Sequence, residues 1–156
     1  MRELAPALLL VLLALALLTA AATDLRARRI PNWLTAAIAL TAPLFWLASG
    51  IDLWPGMAIQ LAVAVGVFCL FAIAFAYRLM GGGDVKLLGA LALWLPLASV
   101  PPLLMLTGIL GGVLTLFMLA WRWLRANHAI EVPYGVAITA AGLWVIGEPY
   151  LYHSYP

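Results

Sequence analysis

Residues 4–22 read LAPALLLVLLALALLTAAA. The run carries no charge over nearly the length at which a helix rising 1.5 Å per residue crosses a hydrocarbon core roughly 30 Å thick. It also lacks the alternation of apolar and polar positions that a transmembrane barrel strand requires. The same pattern returns at Trp33–Ala48, Met57–Tyr77, Leu87–Val100, Leu103–Trp121 and Tyr134–Tyr152. The reading is therefore an all-α integral membrane protein, a bundle of about six transmembrane helices. Composition agrees: 67% of the 156 residues are hydrophobic and 9% are charged, where a soluble domain carries about a quarter charged residues. No internal repeat and no loop long enough to fold separately is evident, so one membrane domain over residues 1–156 is expected.

Prolines and glycines punctuate the runs, at Pro31, Pro43, Gly50, Pro55, Gly56, Pro96, Pro101, Pro102 and Pro133. The fourth segment is short, and Pro96 is expected to kink it or to make it start below the membrane surface. Gly66, Gly108, Gly111, Gly112 and Gly142 read as places where helices approach closely. The first run ends in small residues, as a signal peptide does. Its basic flank is only Arg2 beside Glu3, however, and Arg26, Arg28 and Arg29 follow it, which favours a retained helix. Cys69 lies mid-helix with no partner cysteine in the sequence and is expected to pack internally. Trp33, Trp54, Trp121, Trp123 and Trp144 fall near helix ends and read as interfacial anchors.

Basic residues set the orientation. Arg26, Arg28, Arg29, Arg78, Lys86, Arg122 and Arg125 all fall in odd-numbered loops, which places those loops in the cytoplasm and both termini outside. Six acids remain to be sorted. Glu3, Asp52 and Glu148 fall on the outer side near helix ends, where a solvated carboxylate costs little. Asp24, Asp84 and Glu131 fall on the cytoplasmic side at the ends of the first, fourth and sixth helices, where charge beside a membrane helix marks a functional candidate.

Asp24 opens DLRARRIPNWLT, in which Pro31 forbids an unbroken helix and Asn32 is suited to cap the second. Asp84 follows Gly81, Gly82 and Gly83 in RLMGGGDVKLLGA. Three glycines strip side chains from the backbone and permit close approach of another chain along its N–H and C=O groups. They also deliver Asp84 to the first turn of a helix, where the dipole favours a carboxylate. A capping aspartate on a hinge is the simpler account of GGGD alone. A phosphate-binding loop is excluded, because the GxxxxGK[ST] spacing is absent. His128 beside Glu131 lacks a third ligand at metal-site spacing. Two aspartates at one membrane face suit an aspartic protease dyad, in which repulsion raises one pKa so that one carboxyl acts as acid while the other activates water. Such chemistry requires no cofactor and no metal.

Taken together, DLRARRIPNWLT, GGGDVKLLGA and VPYGVAI resemble the type IV prepilin peptidases, aspartic proteases of the bacterial inner membrane with a GxGD motif. The resemblance implies Asp24 and Asp84 as the catalytic pair. It implies Gly81 and Gly83 as the motif glycines, with Gly82 and Lys86 beside them at the substrate. The implied substrate is a membrane-anchored prepilin, cut on the cytoplasmic side between a basic leader and an apolar helix. Membrane lipid and the pilus assembly machinery are the other expected partners, and nucleic acid is not one. Full-length members carry a further cytoplasmic segment with paired cysteines and also methylate the new N-terminus. Here that segment is missing, so the chain is similar to the short, peptidase-only type serving tight-adherence (Flp) pili, without N-methyltransferase activity. Two other readings stay open: a small transporter or channel using Asp24, Asp84 and Lys86, and a non-catalytic membrane subunit of a pilus or secretion assembly.

Overall fold

The computed structural model describes residues 4–125 and 132–152. Among these it places six α-helices and no strand: α1 (Leu4–Ala27), α2 (Asn32–Ala48), α3 (Ala58–Ala76), α4 (Gly82–Ala92), α5 (Val100–Arg125) and α6 (Tyr134–Tyr152). Single helical turns at Leu53–Met57 and Leu97–Ser99 precede α3 and α5. The segments Leu4–Ala27, Leu53–Ala76 and Leu97–Trp121 are each long and apolar enough to cross a membrane. The outer surface along the helices is largely apolar: Leu40, Leu47, Met105, Val113 and Leu116 all stand exposed. In water such a surface would drive aggregation. Facing lipid it costs nothing, so the chain is an integral membrane protein whose helices are held together by packing and internal polar contacts.

The interior is organised around α4, which packs against α2, α3 and α6, while α1 packs against α2 and α6. Every residue of α4 from Leu87 to Ala92 is buried, joined by Leu13 and Leu17 of α1, Ile38 of α2 and Ile138 of α6. At 11 residues, α4 is only about 16 Å long and stops well short of crossing a bilayer. The carbonyls at its far end therefore need donors, since lipid offers none. The Gln60 side chain supplies them from α3, donating to the carbonyls of Leu93 (3.1 Å), Ala92 and Leu95. From α2, Trp46 Nε1 donates to the Leu93 carbonyl at 2.7 Å. Trp94 returns the bond, its Nε1 donating to the Ile38 carbonyl at 2.9 Å. Phe45 stacks on Trp94 with ring centroids 5.1 Å apart.

Several expectations change here. The fourth helix covers Gly82–Ala92 instead of residues 87–100, so two of the three glycines lie inside it and the chain breaks at Leu93–Pro96. Pro43 sits within α2 and does not end it. Added Cβ atoms at Gly66, Gly108 and Gly112 would meet nothing within 4 Å, so these glycines are not close-packing sites. Gly111 and Gly142 are: there a Cβ would stand 2.5 Å from Tyr134 and 2.8 Å from Leu91, respectively. Cys69 is exposed on the outer face instead of packed inside.

Candidate active site

Asp24 occupies the last turn of α1. The helix closes just beyond it, where Arg28 adopts a left-handed φ of 52° and its N–H bonds the Asp24 carbonyl at 2.9 Å. This helix end is covered by the first turn of α6, so the Asp24 residue is only 6% exposed. The Gly135 N–H donates to Asp24 Oδ2 at 2.8 Å, and the Val136 N–H donates to the same carboxylate. Both donors belong to the first turn of α6, where the Val136 N–H also bonds the Pro133 carbonyl at 3.2 Å, and the positive end of the α6 dipole faces the carboxylate. The Arg28 guanidinium adds positive charge nearby. A Cβ at position 135 would stand 2.8 Å from Oδ2 and 2.9 Å from Ile30 Cδ1, so glycine is what lets α6 close on the carboxylate.

Asp84 sits in the first turn of α4, outside the three apolar spans, with Gly81 as the N-cap. The Gly81 carbonyl accepts from the N–H groups of Asp84 (3.1 Å) and Val85 (3.2 Å). In return the Gly81 N–H donates to the Asp84 carboxylate. This is the reciprocal half of a capping box, with aspartate at the third helical position. The carboxyl is pushed up to about 6 from an ordinary 3.8, mainly by burial and further by the negative charge of Asp24; the Gly81 bond only partly offsets this. Asp24 and Asp84 thus arrive from opposite ends of two different helices, and the charge of Asp24 reaches Asp84.

Both line one pocket of about 470 Å³. Its walls are the α1–α2 connection (Arg28 to Asn32) and the backbone of Gly81 to Gly83. The glycine run leaves no slack on its inner side. A Cβ on Gly83 would meet Ile30 at 3.2 Å, one on Gly82 would meet Phe75 at 3.2 Å, and one on Gly81 would meet Asp84 Oδ2 at 2.8 Å. These glycines therefore keep negative φ and serve close approach of the first loop to α4. Lys86 is exposed, and its Nζ donates to Asn32 Oδ1 at 2.9 Å. Asn32 is accordingly not the cap of α2: that position belongs to Pro31, whose carbonyl takes the Leu34 N–H at 3.1 Å. Asp52 and Glu148 are exposed. Glu3, His128 and Glu131 lie outside the described residues. Among the described residues no group of three metal-ligating side chains comes together.

Two positions carry the site without standing out in the sequence. Gly135 lies within the VPYG segment, but its bond to Asp24 spans 111 residues. Gln60 is the amide that fixes the far end of α4 and is buried among apolar residues.

Residues 11–116 match the model of the type IV leader peptidase family, a span that includes both aspartates and stops before Gly135. Three curated relatives are each named prepilin leader peptidase/N-methyltransferase. The Burkholderia pseudomallei protein is 29% identical over 81% of this chain and 42% of its own length. The Xanthomonas campestris protein is 31% identical over 79% and 43%. The Neisseria gonorrhoeae protein is 32% identical over 69% and 38%. The chain thus spans about two-fifths of the length of these relatives. No solved structure matches it.

Proposed function

The chain belongs to the type IV leader peptidase family, and on that premise we propose that it is a membrane aspartic endopeptidase that removes the basic leader from prepilins. The observation that carries this reading is the convergence of Asp24 and Asp84 on one pocket, with Asp84 pushed up to about 6. Two carboxylates so placed hold one proton between them. The ionised member takes a proton from water as the water oxygen attacks the scissile carbonyl, and the protonated member donates to the carbonyl oxygen. Collapse of the tetrahedral intermediate breaks the C–N bond: the leaving amine takes the proton held by the pair while the ionised carboxylate takes one from a hydroxyl of the intermediate, which leaves as the new carboxyl group, and the pair again holds one proton. The peptide backbone lies along Gly81–Gly83, on the open side of the run, with Lys86 at its edge.

The basic cluster at Arg26, Arg28, Arg29 and Arg78 borders this pocket's end of the bundle and supports a cytoplasmic active site in the bacterial inner membrane, with both termini outside. The reading extends to leader hydrolysis without N-methylation, the activity of the short type serving tight-adherence (Flp) pili. One membrane domain suffices for this chemistry.

The test is cleavage of a panel of short prepilins by purified protein in detergent. Wild type cuts at the leader boundary; Asp24→Asn and Asp84→Asn remain folded and inserted yet lose cleavage, and Asp52→Asn leaves it nearly unchanged. Normal processing by either dyad variant would sink the reading. With labelled S-adenosylmethionine present, the new N-terminus should remain unlabelled.

A further inference from the structure

An apolar groove of about 560 Å³ runs between α2, α3 and α4, and Asn32 lines both this groove and the aspartate pocket. Small residues open it, with Ala36 and Ala39 on α2, Ala64 on α3, and Gly89 and Ala90 on α4. A Cβ on Gly89 would press on Phe68 at 3.1 Å, so the floor is already as deep as the backbones allow. Lys86 is the one charge in its lining and sits at the Asn32 end, two residues along α4 from Asp84. From Asn32 to Ala39 and from Lys86 to Leu93 the two walls run eight residues each, a rise of about 10 Å, which is two turns of a helix.

The geometry points to this groove as the docking site for the apolar segment that follows the scissile bond; the inference rests on the leader-peptidase reading. Continuity through Asn32 is the first argument. A helix laid in the groove with its N-terminal end toward Asn32 delivers that end to the aspartate pocket. The second argument is charge. Arg28 and Arg29 line the aspartate pocket on the α1–α2 side, which repels a basic leader and turns the apolar side of the cleavage site toward α2 and α3. Lipid separates neither side of a cleavage site, and a second copy of the chain would need the aspartate pocket left out of account. The first two turns after the cut therefore contact the groove, while later residues face lipid.

Two readouts separate this inference from the reading beneath it. The probe is a peptide with a basic leader followed by about 20 apolar residues, the length that crosses a bilayer; a second probe ends shortly after the cleavage site. Ala36 is exposed at the rim, so Ala36→Phe fills the groove without entering the core. It should raise KM for the long probe about tenfold with kcat kept, and leave kcat/KM for the truncated probe unchanged. Ala62→Phe, on the lipid face of α3 outside the groove, should change neither. In the Asp84→Asn chain, a photoreactive leucine analogue at Leu61 on the groove wall should crosslink to the first two turns of the long probe. Crosslinks only to lipid, to a second copy or to the leader overturn the groove even if cleavage proceeds. Crosslinking without cleavage by wild type overturns the peptidase reading and leaves the groove standing.

Discussion

A methyl group at position 135 would stand 2.8 Å from Asp24 Oδ2, so Gly135→Ala displaces the carboxylate while improving helix propensity. Leader cleavage should fall about 10²-fold, the scale of loss from an ångström of misplacement. Circular dichroism and detergent monodispersity should stay unchanged; a cleavage rate equal to wild type would mean that the α6 contact does not position Asp24. Asp84 makes a second prediction. Its carboxyl is held near 6 by burial and by Asp24, so Asp24→Asn removes one of the two causes. The infrared band of the protonated Asp84 carboxyl should then vanish at lower pH than in wild type, still above the ordinary 3.8 because burial remains. In wild type the shared proton is lost as pH rises through about 6, so kcat/KM for leader cleavage should decline on that alkaline side. The meeting of Asp24 and Asp84 was legible because charge is scarce in this sequence and both residues border helix ends on the side where the basic residues gather. Gly135 was not, since nothing local marks a glycine whose N–H serves a carboxylate 111 residues away.

Among the elements, α4 departs most from what its sequence suggests. Glycine costs about 1 kcal/mol against alanine inside a helix, so a glycine run reads as a loop ahead of the helix. The fold overrides this through the exchange of bonds between Gly81 and Asp84 and through the tight contacts of Ile30 and Phe75 with the glycine backbone. Its other end is set by Gln60 and Trp46, whose partners are carbonyls that no hydrophobic pattern can reveal. Gln60→Leu keeps the side-chain volume but leaves buried carbonyls at Leu93 and Leu95 without this donor. It should destabilise the protein by about 1–3 kcal/mol, read as a lower midpoint in thermal or SDS unfolding. The five other helices lie close to their expected places because long apolar runs bounded by proline and glycine signal themselves.

For the molecule as a whole, the basic residues of the odd-numbered loops predict the orientation. In a Cys69→Ala background, Ser49→Cys should react with a membrane-impermeant maleimide on intact cells, and Ala27→Cys only after permeabilisation; both positions are exposed. The reverse pattern would put the aspartate pocket outside. One consequence of the short α4 concerns biogenesis. Its far end is tolerable in a bilayer only once α2 and α3 have brought Trp46 and Gln60 to its carbonyls. The carboxylate of Asp24, for its part, is gripped only after α6, the last described helix to be synthesised, has folded back onto α1. A nascent or misassembled chain therefore holds its aspartates on pieces that do not meet. Under the proposed reading, hydrolytic competence is withheld until assembly is complete, so that the bundle acts as its own zymogen control.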